Sequence, residues 1–318
     1  TIEPSEPAAL IPLPSFEPIK IGILHSLSGT MADSETVVVD AMMFAIEEIN
    51  DAGGVHGRPL KAVVADGRSE PDVFAQEAER LIVEEQVAVI FGCWTSASRK
   101  MVKPIVEDHD HLLVYPLQYE GLESSPNIIY MGAAPNQQIL PAIQWAFKTL
   151  GKKRFYLVGS DYVFPRAANE IIKDELKSLG AEVVGEQYLP LGESDVEAIV
   201  AGITETRPDM ILNTINGDSN EALFRELRDA KIDSTDSPIL SFSIGEAGLR
   251  DLNPDDVAGD YTAWTYFQSL DTAENRKFVS KFREKYPQRI ITDPMETAYA
   301  SLKLWARAAG ELDELDPT

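Results

Sequence analysis

The alternation of strand and helix signals along 318 residues predicts an α/β fold of two lobes, each a doubly wound parallel sheet, with a ligand cleft at the hinge between them. Three observations predict it. Short apolar runs alternate with longer stretches whose apolar positions recur at helical spacing. Residues that start and stop helices punctuate the boundaries. A series of about four strand–helix units then restarts near residue 136, which implies a second lobe built like the first. Parallel strands need helical crossovers, so helices should cover both faces of each sheet.

The first strand, over 19–24, is an almost unbroken apolar run. Ser34 is placed to cap a helix over 35–52, whose Val38, Met42, Ala45, Ile46 and Ile49 fall on one face, and Gly53-Gly54 ends it. A strand over 60–65 follows. Pro71 then opens a helix with Phe74, Ala78, Leu81 and Ile82 on its inner face. The run over 87–91 reads as a strand and 96–107 as a helix, with Pro104 predicting a kink or a short first segment. Short strands over 112–115 and 127–130 close the first series. The second series reads as helices over 136–150, 166–179, 196–206 and 219–230, with strands over 155–158, 182–188, 210–214 and 239–243. A strand over 261–267 and helices over 273–286 and 294–309 complete the chain. The expected division is a proline-rich linker over 1–18, a first lobe over 19–132 with 263–318, and a second lobe over 133–262.

Composition narrows the function. With 28 basic and 52 acidic side chains, the formal net charge is −24, which disfavours nucleic acid and anionic membranes as partners. A neutral or cationic small ligand suits this balance better than an anionic one. The single cysteine, Cys93, follows an apolar run and is expected to be a buried small side chain. No stretch reaches the roughly 20 apolar residues that span a bilayer. A linker ahead of the first strand is what remains when a secretion signal or anchor has been removed, so a periplasmic or extracellular site is expected; a tag or a plain terminus reads the same way.

In open parallel sheets, ligands bind beyond the carboxyl ends of the strands. The residues there are rich in hydroxyls, aromatic rings and carboxylates. Trp94, Thr95 and Ser96 follow one strand and open a helix, so the Ser96 hydroxyl and the free backbone N–H groups suit a ligand oxygen; capping of the helix by Thr95 or Ser96 is the alternative. Tyr115 stands at another strand end as a pocket wall or a core residue. The phrase Gly159-Ser160-Asp161-Tyr162-Val163-Phe164-Pro165-Arg166 is a second strand-to-helix corner, whose Tyr162 and Phe164 are placed to cover a ligand or to pack at the hinge. Asp218 and Glu246 follow two later strands and can accept N–H groups, unless Asp218 caps its own helix. Asp108-His109-Asp110-His111 does not suit a metal, because adjacent residues rarely converge on one ion. Nucleophile elbows, phosphate loops and zinc-binding helices are missing, so no catalysis and no cofactor are expected.

Several phrases carry a resemblance. His25-Ser26-Leu27-Ser28-Gly29-Thr30, Asn50-Asp51-Ala52-Gly53-Gly54 and the Trp94 corner resemble the branched-chain amino acid and amide branch of the periplasmic binding proteins. Tyr115-Pro116-Leu117-Gln118-Tyr119-Glu120-Gly121, Asn213-Thr214-Ile215-Asn216-Gly217-Asp218 and Asp293-Pro294-Met295-Glu296 look like the urea-binding proteins of ABC transporters. The resemblance implies a type I periplasmic-binding fold that closes on its ligand. It implies that Ser96 and its neighbours hold the ligand oxygen, that Tyr115, Leu117 and Gln118 line the first lobe, and that Tyr162, Phe164, Asp218 and Glu246 approach from the second. Amide-binding relatives often carry threonine where Leu117 stands, and Gly245-Glu246-Ala247 is less acidic than the urea-binding pattern. The resemblance also implies further strands and a helix beyond residue 318, hence a shortened variant or a sensing domain of a larger receptor. The expected role is capture of urea or a short amide for an ABC permease, with a ligand-sensing domain of a regulator as the alternative and an amide-processing enzyme a distant third.

Overall fold

A computed structural model describes residues 17–247 and 254–312. The linker expected over 1–18 therefore lies outside the described residues up to position 16. The first sheet is built from β1 (Ile19–His25), β2 (Leu60–Asp66), β3 (Ile90–Gly92), β4 (Leu113–Tyr115) and β5 (Ile128–Tyr130), joined by α1 (Ala32–Asp51), α2 (Pro71–Val83) and α3 (Ser96–Asp108). The chain then enters a second sheet through α4 (Ile139–Lys148). That sheet contains β6 (Arg154–Ser160), β7 (Glu182–Leu189), β8 (Met210–Thr214), β9 (Ile239–Ser241) and β10 (Tyr261–Thr262), joined by α5 (Val163–Leu179), α6 (Glu197–Thr206), α7 (Ser219–Asp229) and the short α8 (Pro254–Val257). Two last helices, α9 (Ala273–Lys285) and α10 (Asp293–Gly310), follow.

Both sheets are parallel throughout and share one winding. The first runs β2-β1-β3-β4-β5, and the second, read from its far edge, runs β7-β6-β8-β9-β10. In each, the strand order reverses direction between the first strand and the third. That switch point leaves a crevice at the strands' carboxyl ends. It falls between His25 and Gly92 in the first sheet and between Ser160 and Thr214 in the second.

Burial follows the strand period. In β6, Phe155 and Leu157 join one apolar cluster while Tyr156 and Val158 join another, so the second sheet is covered on both faces. The first sheet packs on α1 and also on the returning helices: Phe282, Met295, Ala298 and Leu302 share its core. The ring of Phe282 meets that of Phe44 edge-on at 5.4 Å.

Several sequence expectations change. The first helix starts at Ala32 with Met31 as its N-cap, and Ser34 sits inside the first turn. Pro104 is carried within an uninterrupted α3, which loses only the hydrogen bond its missing N–H would make. Helix α4 begins at Ile139 because 136–138 form a turn held by Gln137 Oε1, which accepts from Ala134 N at 2.9 Å. The strand expected over 261–267 shrinks to two residues. Asp293 explains this: its carboxylate accepts the backbone N–H groups of Thr265 and Tyr266, each at 2.8 Å, and the Thr265 hydroxyl, which draws the chain out of the sheet.

Candidate functional site

The two switch points deliver their loops to one seam. In the first sheet, Cys93 N donates to Leu24 O at 2.9 Å, extending the β1–β3 pairing by one residue. The backbone then turns sharply, with Cys93 at φ +64. Gly92 allows it: a Cβ there would stand 2.2 Å from the Leu24 carbonyl oxygen. The turn carries Trp94 towards the second lobe and sets Thr95 as the N-cap of α3, its hydroxyl accepting from Ser98 N at 3.0 Å. Cys93 is fully buried, as expected, and burial pushes its thiol pKa far up.

Behind Trp94 lies a buried ionic network. Ser96 Oγ donates to Glu120 Oε2 at 2.6 Å and accepts from Arg99 Nη1 at 3.0 Å. Arg99, with no exposed surface, also donates to Glu120 Oε1 at 3.0 Å and to Glu123 Oε1 at 2.8 Å. Its guanidinium stands 4.7 Å from the centre of the Tyr115 ring. Tyr115 is itself buried, and its hydroxyl donates to Trp94 O at 2.6 Å, so it supports the corner from behind. Lys100 closes the network on the solvent side, 2.6 Å from Glu123. Burial raises the carboxyl of Glu123, but hydrogen bonds from Lys100 and Arg99 outweigh it and hold the group down to about 2.

The second lobe approaches this network through Tyr162, the N-cap residue of α5. Tyr162 packs against the second lobe's core, and burial pushes its hydroxyl pKa well up, with Tyr115 and Glu120 of the first lobe acting in the same direction. Phe164 turns instead into the core under the second sheet, beside Ile139 and Phe155. Two direct links tie the loop after β4 and the start of α4 to the end of β9. Gln118 Nε2 donates to Phe242 O at 2.8 Å, and Gln138 Nε2 donates to Phe242 O at 3.2 Å and, at the end of β10, to Ala263 O at 2.7 Å. Gln118 Oε1 is buried without a partner among the described residues. Leu117 is core, packed under the first sheet.

Between the lobes opens a cavity of about 180 Å³, walled by the rings of Trp94, Trp264, Tyr266 and Phe267. Its polar lining is acidic: Asp33, Asp218, Glu221 and Glu246 all face it, with Asp293 at the base. Arg289, the one basic lining residue among the described residues, is held by Asp40 at 2.8 Å. Asp218 accepts from Thr30 Oγ1 of the first lobe at 3.3 Å; it stands at the N-cap of α7, but its side chain makes no capping bond there. Its carboxyl pKa is raised, by partial burial first and then by Asp33 and Glu221. Burial likewise raises Glu246, against the backbone N–H of Gln268, which donates to it at 3.2 Å. The hydroxyl of Ser243, another lining residue, is buried without a partner among the described residues.

Of the residues expected from the sequence, then, Trp94, Asp218 and Glu246 line the cavity. Thr95, Ser96, Tyr115, Leu117, Gln118 and Phe164 lie behind it, and Tyr162 packs on the second lobe's core outside the lining. Sequence reasoning missed Trp264, Tyr266 and Asp33. The first two hid in an apparent strand, and Asp33 in a stretch read as the lead-in to a capped helix. Arg99 was also missed, because a cation three residues into a helix ordinarily points to solvent. His109 of the tempting Asp-His-Asp-His run pairs with Glu79 at 3.0 Å, and burial lowers His111. Among the described residues no group of His, Cys, Asp and Glu is arranged to hold a metal, and no helix is long and apolar enough to cross a membrane.

Comparisons with known proteins agree with this architecture. The family description "Periplasmic binding protein domain" matches residues 19–318. The Leu/Ile/Val-binding protein BraC3 of Rhizobium johnstonii is 25% identical over 262 residues, covering 80% of this chain and 68% of that protein. The leucine-specific-binding protein of Salmonella typhimurium is 23% identical over 199 residues, covering 61% and 53%. The chain thus spans between about half and two thirds of these relatives. Among solved structures, the branched-chain amino acid transporter substrate-binding protein LivJ from Streptococcus pneumoniae, in complex with isoleucine, superposes with a TM-score of 0.85 at 20% identity, covering 94% of this chain and 86% of that one. A solute-binding protein of an ABC transporter from Rhodopseudomonas palustris, in complex with 3,4-dihydroxybenzoic acid, gives 0.84 at 20% identity, covering 94% and 83%. These likenesses establish the two-lobed fold.

Proposed function

The chain belongs to the periplasmic binding protein domain family, and on that premise we propose that it is an extracytoplasmic solute-binding protein that captures urea or a short-chain amide for an ABC permease. The family is one of binding proteins, so no bond is made or broken. One observation carries the choice of ligand: a cavity of about 180 Å³ with flat aromatic walls and carboxylates around it, in which Arg289, the one basic lining residue among the described residues, is already paired. Pockets for drug-sized ligands run to roughly 300–1,000 Å³, so a smaller solute suits this one. Urea presents four N–H donors and one acceptor in a plane. Glu246 and Asp218 supply acceptors for those donors, and Trp94 and Trp264 supply faces for the plane. So small a solute gains little from apolar burial, and its recognition depends on pairing every polar group.

The relatives favour a second reading, a branched-chain amino acid, since two of them are named for leucine or for leucine, isoleucine and valine. Val37 and Ile244 give the cavity some aliphatic wall. An amino acid brings a carboxylate as well as an ammonium, however, and the acidic lining opposes it. Isothermal calorimetry with urea, formamide, acetamide and leucine separates the two. Binding of urea or an amide with no heat from leucine is expected. Tight leucine binding without a response to urea or either amide would replace the first reading by the second.

A further inference from the structure

We propose that the interlobe cavity also takes the planar cations that share the shapes of urea and acetamide, guanidinium and acetamidinium, and holds each more tightly than its neutral counterpart, with Asp293 as the anchor. The inference rests on the reading of this cavity as a small-solute site and extends its ligand class from amides to amidinium-type cations. Guanidinium is urea with the oxygen replaced by a third nitrogen. It is flat, carries N–H donors on every edge and has no acceptor. It stays charged at neutral pH, as the arginine side chain does.

The lining matches that inventory. Three of its donors are committed inside the protein: Trp264 Nε1 to Ile244 O at 3.0 Å, the Tyr266 hydroxyl to Asn275 Oδ1 at 2.7 Å, and Asn220 Nδ2 to Ile215 O at 2.9 Å. Arg289 gives both Nε and Nη2 to Asp40, at 2.9 and 2.8 Å. The acceptors are in a different state. Asp293, at the cavity base, is only 6% exposed. Its Oδ2 takes every bond from Thr265 and Tyr266, while its Oδ1 has no partner among the described residues. That oxygen is the part of a buried carboxylate left for a ligand. Burial raises the Asp293 carboxyl, and what opposes burial is hydrogen bonding, not a cation. Glu246 is raised in the same way. Glu221 has Arg225 at 3.5 Å, but no described cation forms an ion pair with Asp33, Asp218, Glu246 or Asp293.

A carboxylate taken from water without a counter-ion is costly, and a cationic ligand supplies the missing charge. The walls favour the same choice. The rings of Trp94, Trp264, Tyr266 and Phe267 enclose the space, and an aromatic face attracts a cation through its quadrupole. Urea gains little from that attraction, and its oxygen asks the lining for a donor. Guanidinium asks only for acceptors.

Calorimetry with two pairs of equal shape, guanidinium against urea and acetamidinium against acetamide, tests this. Within each pair an oxygen is exchanged for a charged nitrogen. Guanidinium is used at millimolar concentration, far below the molar range that unfolds proteins. The wild type is expected to bind the cation at least about tenfold more tightly in both pairs, the gap between a charged and a neutral hydrogen bond. Asp293→Asn keeps the side-chain shape and an oxygen for the Thr265 and Tyr266 N–H groups. It should lower both cation-to-neutral ratios by about tenfold or more. Glu246→Gln, which leaves the Thr265 corner untouched, should lower them by roughly three- to tenfold. Glu84→Gln removes the same formal charge at the exposed end of α2 and should leave them within about twofold. Wild-type cations bound no better than urea and acetamide would overturn the inference and leave the cleft reading intact, and this comparison stands even if Asp293→Asn fails to fold. Unchanged ratios in folded Asp293→Asn would overturn it as well. A response to the cations without one to urea or acetamide would support the inference and replace the neutral ligand by a cationic one. No response to any of the four would overturn both.

Discussion

At the scale of single residues, the corner after β3 depends on what is missing from Gly92. The chain must turn there with Cys93 at φ +64, and the Leu24 carbonyl lies where a Cβ would be. Backbone cannot yield as a side-chain tip can. Gly92→Ala is therefore expected to destabilise the protein by about 1–3 kcal/mol, the ordinary cost of overpacking a close-packed interior. Thermal unfolding followed by circular dichroism checks it, and an unchanged midpoint would mean that the turn is looser than it looks. Trp94 was legible as a wall from its position after an apolar run. The state of Ser96 was not. Its hydroxyl looked free for a ligand, because its partner Glu120 is 24 residues further on and nothing in the sequence links the two. The same holds for Arg99, whose burial depends on two carboxylates from one distant loop.

At the scale of elements, periodicity located nearly every strand and helix. The misjudged boundaries have separate causes: a local turn ahead of α4, and a distant carboxylate, Asp293, that shortens β10. The returning helices α9 and α10 are where packing contributes most that the pattern did not reveal. Phe282 is fully buried between Phe44 of α1 and Tyr286, with ring centres at 5.4 and 4.9 Å. Phe282→Ala should cost about 3–5 kcal/mol, the usual figure for truncating a buried phenylalanine. Denaturant unfolding measures this. A loss below about 1 kcal/mol, the level of a surface change, would show that α9 is dispensable to the first lobe. Around this packing, Glu48 of α1 receives Tyr299 at 2.5 Å, Lys303 at 2.9 Å and Lys281 at 3.0 Å, so both returning helices are tied to α1 by one carboxylate.

At the scale of the whole molecule, acid should loosen the fold through two such carboxylates. Burial raises the pKa of Glu48, but the bonds from Tyr299, Lys303 and Lys281 outweigh it and lower the group from 4.5 to about 2. Glu123, under Lys100 and Arg99, is likewise lowered from 4.5 to about 2. Both therefore titrate lower folded than unfolded, and their ionised forms stabilise the folded state. That stabilisation is complete above pH 4.5 and is lost as pH falls towards about 2. The melting temperature should drop across this window, and the drop should be shallower in Glu48→Gln and Glu123→Gln; variants that follow the wild-type curve would assign acid sensitivity elsewhere. The sequence by itself determined the two wound sheets, their order along the chain, and which loops end at the cleft, because hydrophobic period and helix-boundary chemistry are local properties read within a few residues. Only the tertiary structure decided which of those loop residues face the cavity and which are consumed behind it. That choice is made by hydrogen bonds and ion pairs between residues far apart in the chain, and a buried polar group takes whichever partner the fold brings within reach.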